Sequence, residues 1–273
     1  MLKTRIVTAT ILVATFLLAV FGLPQKGWLL FCAGILAIAA WEWAALSGLS
    51  QFGRSAFAIS IVISGIAIAW RWPAVPGFQD TGVYYLIAVV FWLGIMPPWL
   101  NNGLRAGSNA LVAVTGWAVL LPCFLAMIHL QAISPGTLLK FMAIVWIADS
   151  AAYFAGRRFG RRKLAPSISP GKTWEGVAGA LLAVTAYGIL WIFYFNWGIP
   201  SVVQATSAGP AGMLIVLWFF ALFSICGDLF ESALKRRAGV KDSGKILPGH
   251  GGILDRIDAL IPVLPLAALL FVI

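Results

Sequence analysis

Charge is the scarcest resource in this 273-residue chain: charged residues make up 10% and hydrophobic residues 61%. A soluble domain carries about 25% charged and about 45 to 50% apolar residues. The shortage excludes a large soluble domain, because a soluble core of this length needs a charged shell whereas lipid-facing helices need none. Cysteine is also sparse, and Cys32, Cys123 and Cys226 each lie alone inside an apolar run. That spacing excludes a disulfide framework or a cysteine zinc site and reads as small hydrophobes in helices. No internal repeat and no separate soluble domain is visible, so residues 1–273 read as a single transmembrane domain. The net charge of +10 does not point to nucleic acid, since the basic residues sit between apolar spans rather than on a soluble face. Anionic lipid headgroups and phosphorylated substrates fit it better.

What is present is long apolar runs. A hydrocarbon core of about 30 Å needs about 20 mostly apolar residues per helix, and that template fits nine times: 4–23, 27–46, 56–72, 82–100, 109–130, 138–156, 174–195, 211–233 and 256–273. Pro24, Gly27, Gly48, Gly53, Pro73, Pro76, Pro135, Gly136 and the stretch 200–210 punctuate these runs. The start, Lys3 and Arg5 ahead of an apolar stretch, has the look of a secretory signal, but a second span follows at once, so it reads as an uncleaved first helix. Placing the N-terminus in the cytoplasm puts all but Lys26, Arg71 and Lys140 of the 19 Lys and Arg residues on the cytoplasmic side. The expected fold is therefore an all-α polytopic membrane protein of about nine transmembrane helices. Its large basic loops, residues 157–173 and 234–255, share one face because two spans separate them. The 13 tryptophans read as an interfacial belt, and His129 as a packed or interfacial residue.

Acidic residues number nine, and Asp149, Glu175, Asp228, Glu231, Asp242, Asp255 and Asp258 all follow residue 148. Carboxylates in or at the ends of spans are costly in lipid and face a protein interior or a watery cavity. Asp228, Glu231 and Ser232 share one helical face, as do Asp255 and Asp258. Hard oxygen ligands without a His or Cys pair suit magnesium shared with substrate phosphates rather than zinc; ion pairing with Arg256 or other loop cations is the structural alternative. Between the two faces runs KRRAGVKDSGKILPGHGGILDRID, residues 235–258, whose cations and glycines suit phosphate, although a plain positive-inside loop has a similar composition. His250 is placed to bind phosphate, to transfer a proton or to cap the turn. In the other basic loop, Ser169, Lys172 and Thr173 precede a helix start without the glycine spacing of a Walker loop; they read as an anion-binding cluster or as caps. Asp149, with Ser150 and Tyr153, lies deeper, as a metal or substrate contact or as a buried partner of Lys172 or Arg157.

The string SALKRRAGVKDSGKILPGHGGILDRID, residues 232–258, resembles the pattern of phosphatidate cytidylyltransferases. Ser232, Lys235, Arg236, Lys241, Asp242, Gly244, Pro248, His250, Gly251, Gly252, Asp255, Arg256 and Asp258 stand at its spacing. The segments SPGKTWEG and DSAAYFAGRRFG also resemble family blocks, so the similarity covers at least the last half of the chain. Gly171 departs from the pattern, standing where many members have a second Lys, which weakens the anion site there.

The resemblance implies conversion of CTP and phosphatidic acid to CDP-diacylglycerol and pyrophosphate, with Mg2+, in an all-helical homodimer of the inner membrane whose site opens to the cytoplasm. A second, monovalent cation such as K+ follows by family analogy only. On this reading residues 136–273 form the catalytic part, and residues 1–135 a helical scaffold with the lipid-facing and dimer surfaces. Asp228 and Asp255 hold the metal, with Asp258 and Asp149 as further ligands, and Lys241 and His250 join them in catalysis. Ser169, Lys172, Thr173, Ser232, Lys235, Arg236, Asp242, Gly251, Gly252 and Arg256 bind substrate. The rival readings are a CTP-dependent polyprenol kinase and, in another class, a membrane transporter.

Overall fold

The computed structural model describes residues 2–72, 77–101, 108–193 and 209–272. Among them are eight helices long and apolar enough to cross a membrane. They are α1 Leu2–Gly22, α2 Gln25–Leu46, α3 Gln51–Trp70, a composite span, α6 Asn109–Ile133, α7 Pro135–Phe159, α8 Trp174–Phe193 and α9 Gly209–Arg237. The composite span comprises α4 Phe78–Val90, a π-helical turn Phe91–Ile95 and α5 Met96–Asn101. Its irregularity has a covalent cause. Pro97 and Pro98 bring no amide hydrogen to the helix ladder, and the Met96 N–H reaches back to the carbonyl of Phe91. Sequence punctuation falls where expected elsewhere: Pro24 precedes α2, Ser50 and Ser108 cap α3 and α6, and Pro135 opens α7. Pro73 and Pro76, and most of the stretch 200–210, lie outside the described residues.

Two expectations need correction. The ninth span, 256–273, is instead a four-residue helix α10 Leu254–Ile257, a break at Asp258 and Ala259, and α11 Leu260–Val272. At about 1.5 Å per residue α11 is about 20 Å long, short of a bilayer core, and it packs against α4, α6, α7 and α9. Pro262 accounts for the broken start, since it has no N–H to bond back to the Asp258 carbonyl; Pro265 lies inside α11. Secondly, the loop 157–173 contains an antiparallel hairpin, β1 Lys163–Ala165 and β2 Ser169–Thr173, with Lys163 opposite Thr173. The architecture remains all-α apart from these two short strands.

The tryptophans do not form only a belt. Trp28, Trp43, Trp92, Trp99 and Trp191 are buried. Helices in lipid gain little from hydrophobic transfer and associate through close packing and internal hydrogen bonds, and the indoles supply both. Trp28 and Trp43 donate from Nε1 to the carbonyls of Met127 and Val112 on α6 at 3.3 and 2.8 Å. Opposite Trp43, Gly116 of α6 is closely covered: a Cβ there would stand 2.7 Å from the indole. Around Phe230 of α9 gather Phe91, Trp92, Trp99 and Trp43, with ring centroids 5.4, 5.6, 5.8 and 6.1 Å away. This cage locks α9 one residue before Glu231. His129 is fully buried in α6 and hydrogen-bonds Tyr85 at 3.1 Å, so it is a packed residue.

Truncation of Phe230 to Ala empties the cage, and we expect a loss of about 3 to 5 kcal/mol read as a lowered midpoint of thermal unfolding in detergent. Phe230→Leu keeps most of the volume and should lose less.

Candidate active site

The site is built between two chain segments at one end of the bundle. On the first, Thr173 caps α8: its Oγ1 accepts the Gly176 N–H at 3.1 Å. A Cβ on Gly156 or Gly160 would press on the same hydroxyl, so α7, the hairpin and α8 meet at this threonine. Glu175 accepts the Arg161 and Arg162 N–H groups at 3.0 and 3.2 Å, which satisfies the turn leaving α7. The hairpin thus held projects Lys172 inward, where its Nζ is 2.7 Å from Asp228 and 3.3 Å from the Ile225 carbonyl.

The second segment is the end of α9 and the loop after it. Helical spacing sets Asp228, Glu231, Ser232 and Lys235 on one face. The Ser232 hydroxyl donates to Asp228 at 3.2 Å. Lys235 bridges Glu231 at 2.5 Å and Asp255 at 2.6 Å. The other Asp255 oxygen accepts the Ser243 N–H, the Ser243 hydroxyl and the Gly252 N–H at 2.9, 3.0 and 2.8 Å. Burial opposes ionisation of Asp255, but the Lys235 ammonium and these amides outweigh it and hold the carboxyl below the ordinary range. Beyond Ser243 the chain turns at Leu247 to Gly251, closed by hydrogen bonds from the His250 N–H to Leu247 and from the Leu247 N–H to Gly251, both 2.9 Å. Gly249 and Gly251 occupy the left-handed region at φ 74° and 84°, which a side chain would oppose.

A cavity of about 800 Å³ separates the segments. Asp149, Asp228, Asp242, Asp255 and Asp258 line it together with Lys172, Lys235, Arg236, Lys241 and Arg256, and so do Ser169, Thr173 and Ser232. Arg157 and Lys163 extend the basic wall. Asp149 and Asp228 stand about 15 and about 13 Å from the ends of their helices by helical rise, so the cavity reaches into the apolar bundle. The two basic loops therefore meet on one face. Three expected residues lie elsewhere. His250 and Gly251 line an adjoining cavity of about 580 Å³, which shares Lys241, Asp242 and Arg256 with the first and adds Arg5 and Lys245. Gly252 lies beneath the loop, where a Cβ would collide with Ser243 and Glu42.

One site residue went unanticipated. Glu42 of α2, 2% exposed, accepts the Leu254 N–H at 2.8 Å, the Ser243 hydroxyl at 2.9 Å and the Ile253 N–H at 3.2 Å. The cue in the sequence is a carboxylate within an apolar span, although no local spacing ties it to the acids after residue 148.

A family model described as the cytidylyltransferase family matches residues 3–273. The phosphatidate cytidylyltransferase of Pseudomonas aeruginosa is 37% identical over 281 residues, covering 99% of this chain and 97% of that protein. Those of Haemophilus influenzae and Thermotoga maritima are 32% and 33% identical over 286 and 278 residues, covering 97% and 99% of this chain and 96% of each relative. The chain belongs to the cytidylyltransferase family.

For a cytidylyltransferase the balance of charge in the larger cavity matters most. Asp149 and Asp258 both feel the negative charge of Asp228; Lys172 pairs with Asp228 and also acts on Asp149, whereas Asp258 feels Lys235. The three carboxylates make an oxygen-rich setting that suits a hard divalent cation. Among the described residues no three His, Cys, Asp or Glu side chains converge as a metal centre. Asp255 is more heavily engaged: one oxygen holds Lys235 and the other accepts from three groups, whereas each oxygen of Asp228 has a single partner.

Replacing Lys235 by Met leaves buried Glu231 without its cation, and we expect a loss of about 3 to 5 kcal/mol in thermal unfolding. The double variant Lys235→Met, Glu231→Gln should recover part of that stability while remaining inactive.

Proposed function

We propose that this chain transfers CMP from CTP to phosphatidic acid, giving CDP-diacylglycerol and pyrophosphate. The observation that carries the reading is the cavity of about 800 Å³ sunk into an apolar bundle, where carboxylates and phosphate-binding cations face each other; the names of the relatives support the substrates. A phosphate oxygen of phosphatidic acid attacks the α-phosphorus of CTP, the bond from that phosphorus to the bridging oxygen of the β-phosphate breaks, and pyrophosphate leaves with the electron pair. Both reactants are anions, so the protein's task is to hold them together in line.

Asp149, Asp228 and Asp258 would hold Mg2+, which when bound offsets the charge of the triphosphate. Asp255 would serve these ligands by fixing Lys235. Lys172, now on Asp228, is placed to take a phosphate oxygen instead, with Ser169 beside it on β2. Arg236, Lys241 and Arg256 would share the remaining phosphate charge, and Arg5, Lys245 and His250 would extend that field through the adjoining cavity. Thr173, occupied by its cap, would shape the wall. A K+ ion near the carboxylates and a homodimer rest on family resemblance. The excess of cations on the loops supports an opening on the cytoplasmic side of the inner membrane; CTP would arrive from water and the lipid sideways from the bilayer.

Incubation of purified protein with phosphatidic acid and CTP labelled at the α-phosphorus should carry label into the lipid and release unlabelled pyrophosphate. Label recovered as CDP would instead identify a kinase, and nucleotide-independent flux in proteoliposomes a transporter. Asp228→Asn and Asp258→Asn should each lower kcat at least about 100-fold with the fold retained, as expected for loss of a group that stabilises developing charge. Wild-type turnover by both across a magnesium titration would refute the ligand assignment.

A further inference from the structure

Glu42 has a partner set unusual for a carboxylate inside an apolar helix. Its contacts are the Leu254 and Ile253 N–H groups and the Ser243 hydroxyl, all neutral donors belonging to the loop more than 200 residues away, and among the described residues no cation pairs with it. The loop is shaped around it, because a Cβ on Gly244 or Gly252 would collide with its carboxylate. The Ser243 hydroxyl lies between two acids, 2.9 Å from Glu42 and 3.0 Å from Asp255. It has one hydrogen to give. The Ser243 and Gly252 N–H groups, on the same stretch of backbone, complete the grip on Asp255, and Asp255 in turn holds Lys235 at the cavity wall.

We propose that Glu42 is a positioning residue of the transfer reaction: from α2 it anchors residues 243–254 so that Asp255 meets Lys235 in one geometry. It touches neither substrate. Its effect runs through Ser243 and the loop amides to Asp255 and thence to Lys235, and the residues 1–135 thereby supply a part of the site. The kinetic half of the inference rests on the cytidylyltransferase reading, whereas the anchoring half does not.

The test uses the full chain in lipid nanodiscs. Glu42→Gln preserves size but turns an amide group toward donors that need an acceptor. We expect hydrogen exchange at Ile253 and Leu254 to accelerate about tenfold, the scale of one lost charge-assisted hydrogen bond, with exchange in α6 and α7 unchanged. Per folded molecule, kcat/KM for CTP should fall by about the same factor. Ser243→Ala removes only the shared hydroxyl and should move both readouts in the same direction; added to Glu42→Gln it should cost less than the product of the single effects, because both act on one chain of contacts. If Glu42→Gln does not fold, Ser243→Ala carries the test. Loop exchange at the wild-type rate overturns the proposal. So does faster loop exchange with unchanged kcat/KM per folded molecule, which would reduce Glu42 to a stabilising contact. A wild-type protein without transfer activity would sink the cytidylyltransferase reading while leaving the exchange result to report on the anchor.

Discussion

Lys235 stands between two acids, Glu231 one turn earlier on α9 and Asp255 on α10, at 2.5 and 2.6 Å. The arrangement is demanding, since two acids and one ammonium are drawn from water and removal of the ammonium leaves both acids without a cation. Because Glu231 and Lys235 share a helix while Asp255 follows the connection 238–253, the ammonium also determines where that connection must return. Everything that borders the larger cavity on this side, from Ser232 to Asp258, takes its position from that closure. Glu42 and Ser243 brace it from below, and the aromatic cage around Phe230 prevents α9 from rotating the pair away.

The membrane setting explains why so much of the bundle is devoted to holding a few polar groups still. Packed aromatic rings and indole hydrogen bonds bind helices where apolar transfer contributes little. α6, the most enclosed span, forms the central post against which α2, α4, α7 and α11 lean. The short α11 is part of this economy: it need not span a bilayer, because its function is to fill the bundle beneath Asp258. On the opposite wall the Thr173 cap gives the hairpin a fixed root, so that Lys172 enters the cavity from a strand rather than from a loose loop.

Much of this was legible in the residues. The first eight span positions followed from apolar length alone, and helical spacing put Asp228, Glu231 and Ser232 on one face, where Ser232 bonds Asp228. The remainder depended on contacts that no local pattern encodes. Spacing could not show that Thr173 is consumed as a cap, that Asp255 spends its oxygens on loop amides, or that His250 turns toward a neighbouring cavity. It also favoured an interfacial role for tryptophan, whereas burial of Trp43 and Trp99 depends on which helices are neighbours. Glu42 depends on such distant contacts too. An isolated acid in an apolar helix signals a partner, but the partner lay at the other end of the chain.

The proposed chemistry is direct displacement: charged groups would surround the reacting phosphates, and no side chain is required to carry the CMP group. Ser232, hydrogen-bonded to Asp228 at 3.2 Å, is a candidate in the cavity wall for a contrary route through a covalent intermediate. The stereochemical course at the α-phosphorus distinguishes them. With a single diastereomer of α-thio-CTP as donor, one direct transfer to phosphatidic acid predicts inverted configuration in the lipid product, and retention would contradict the account.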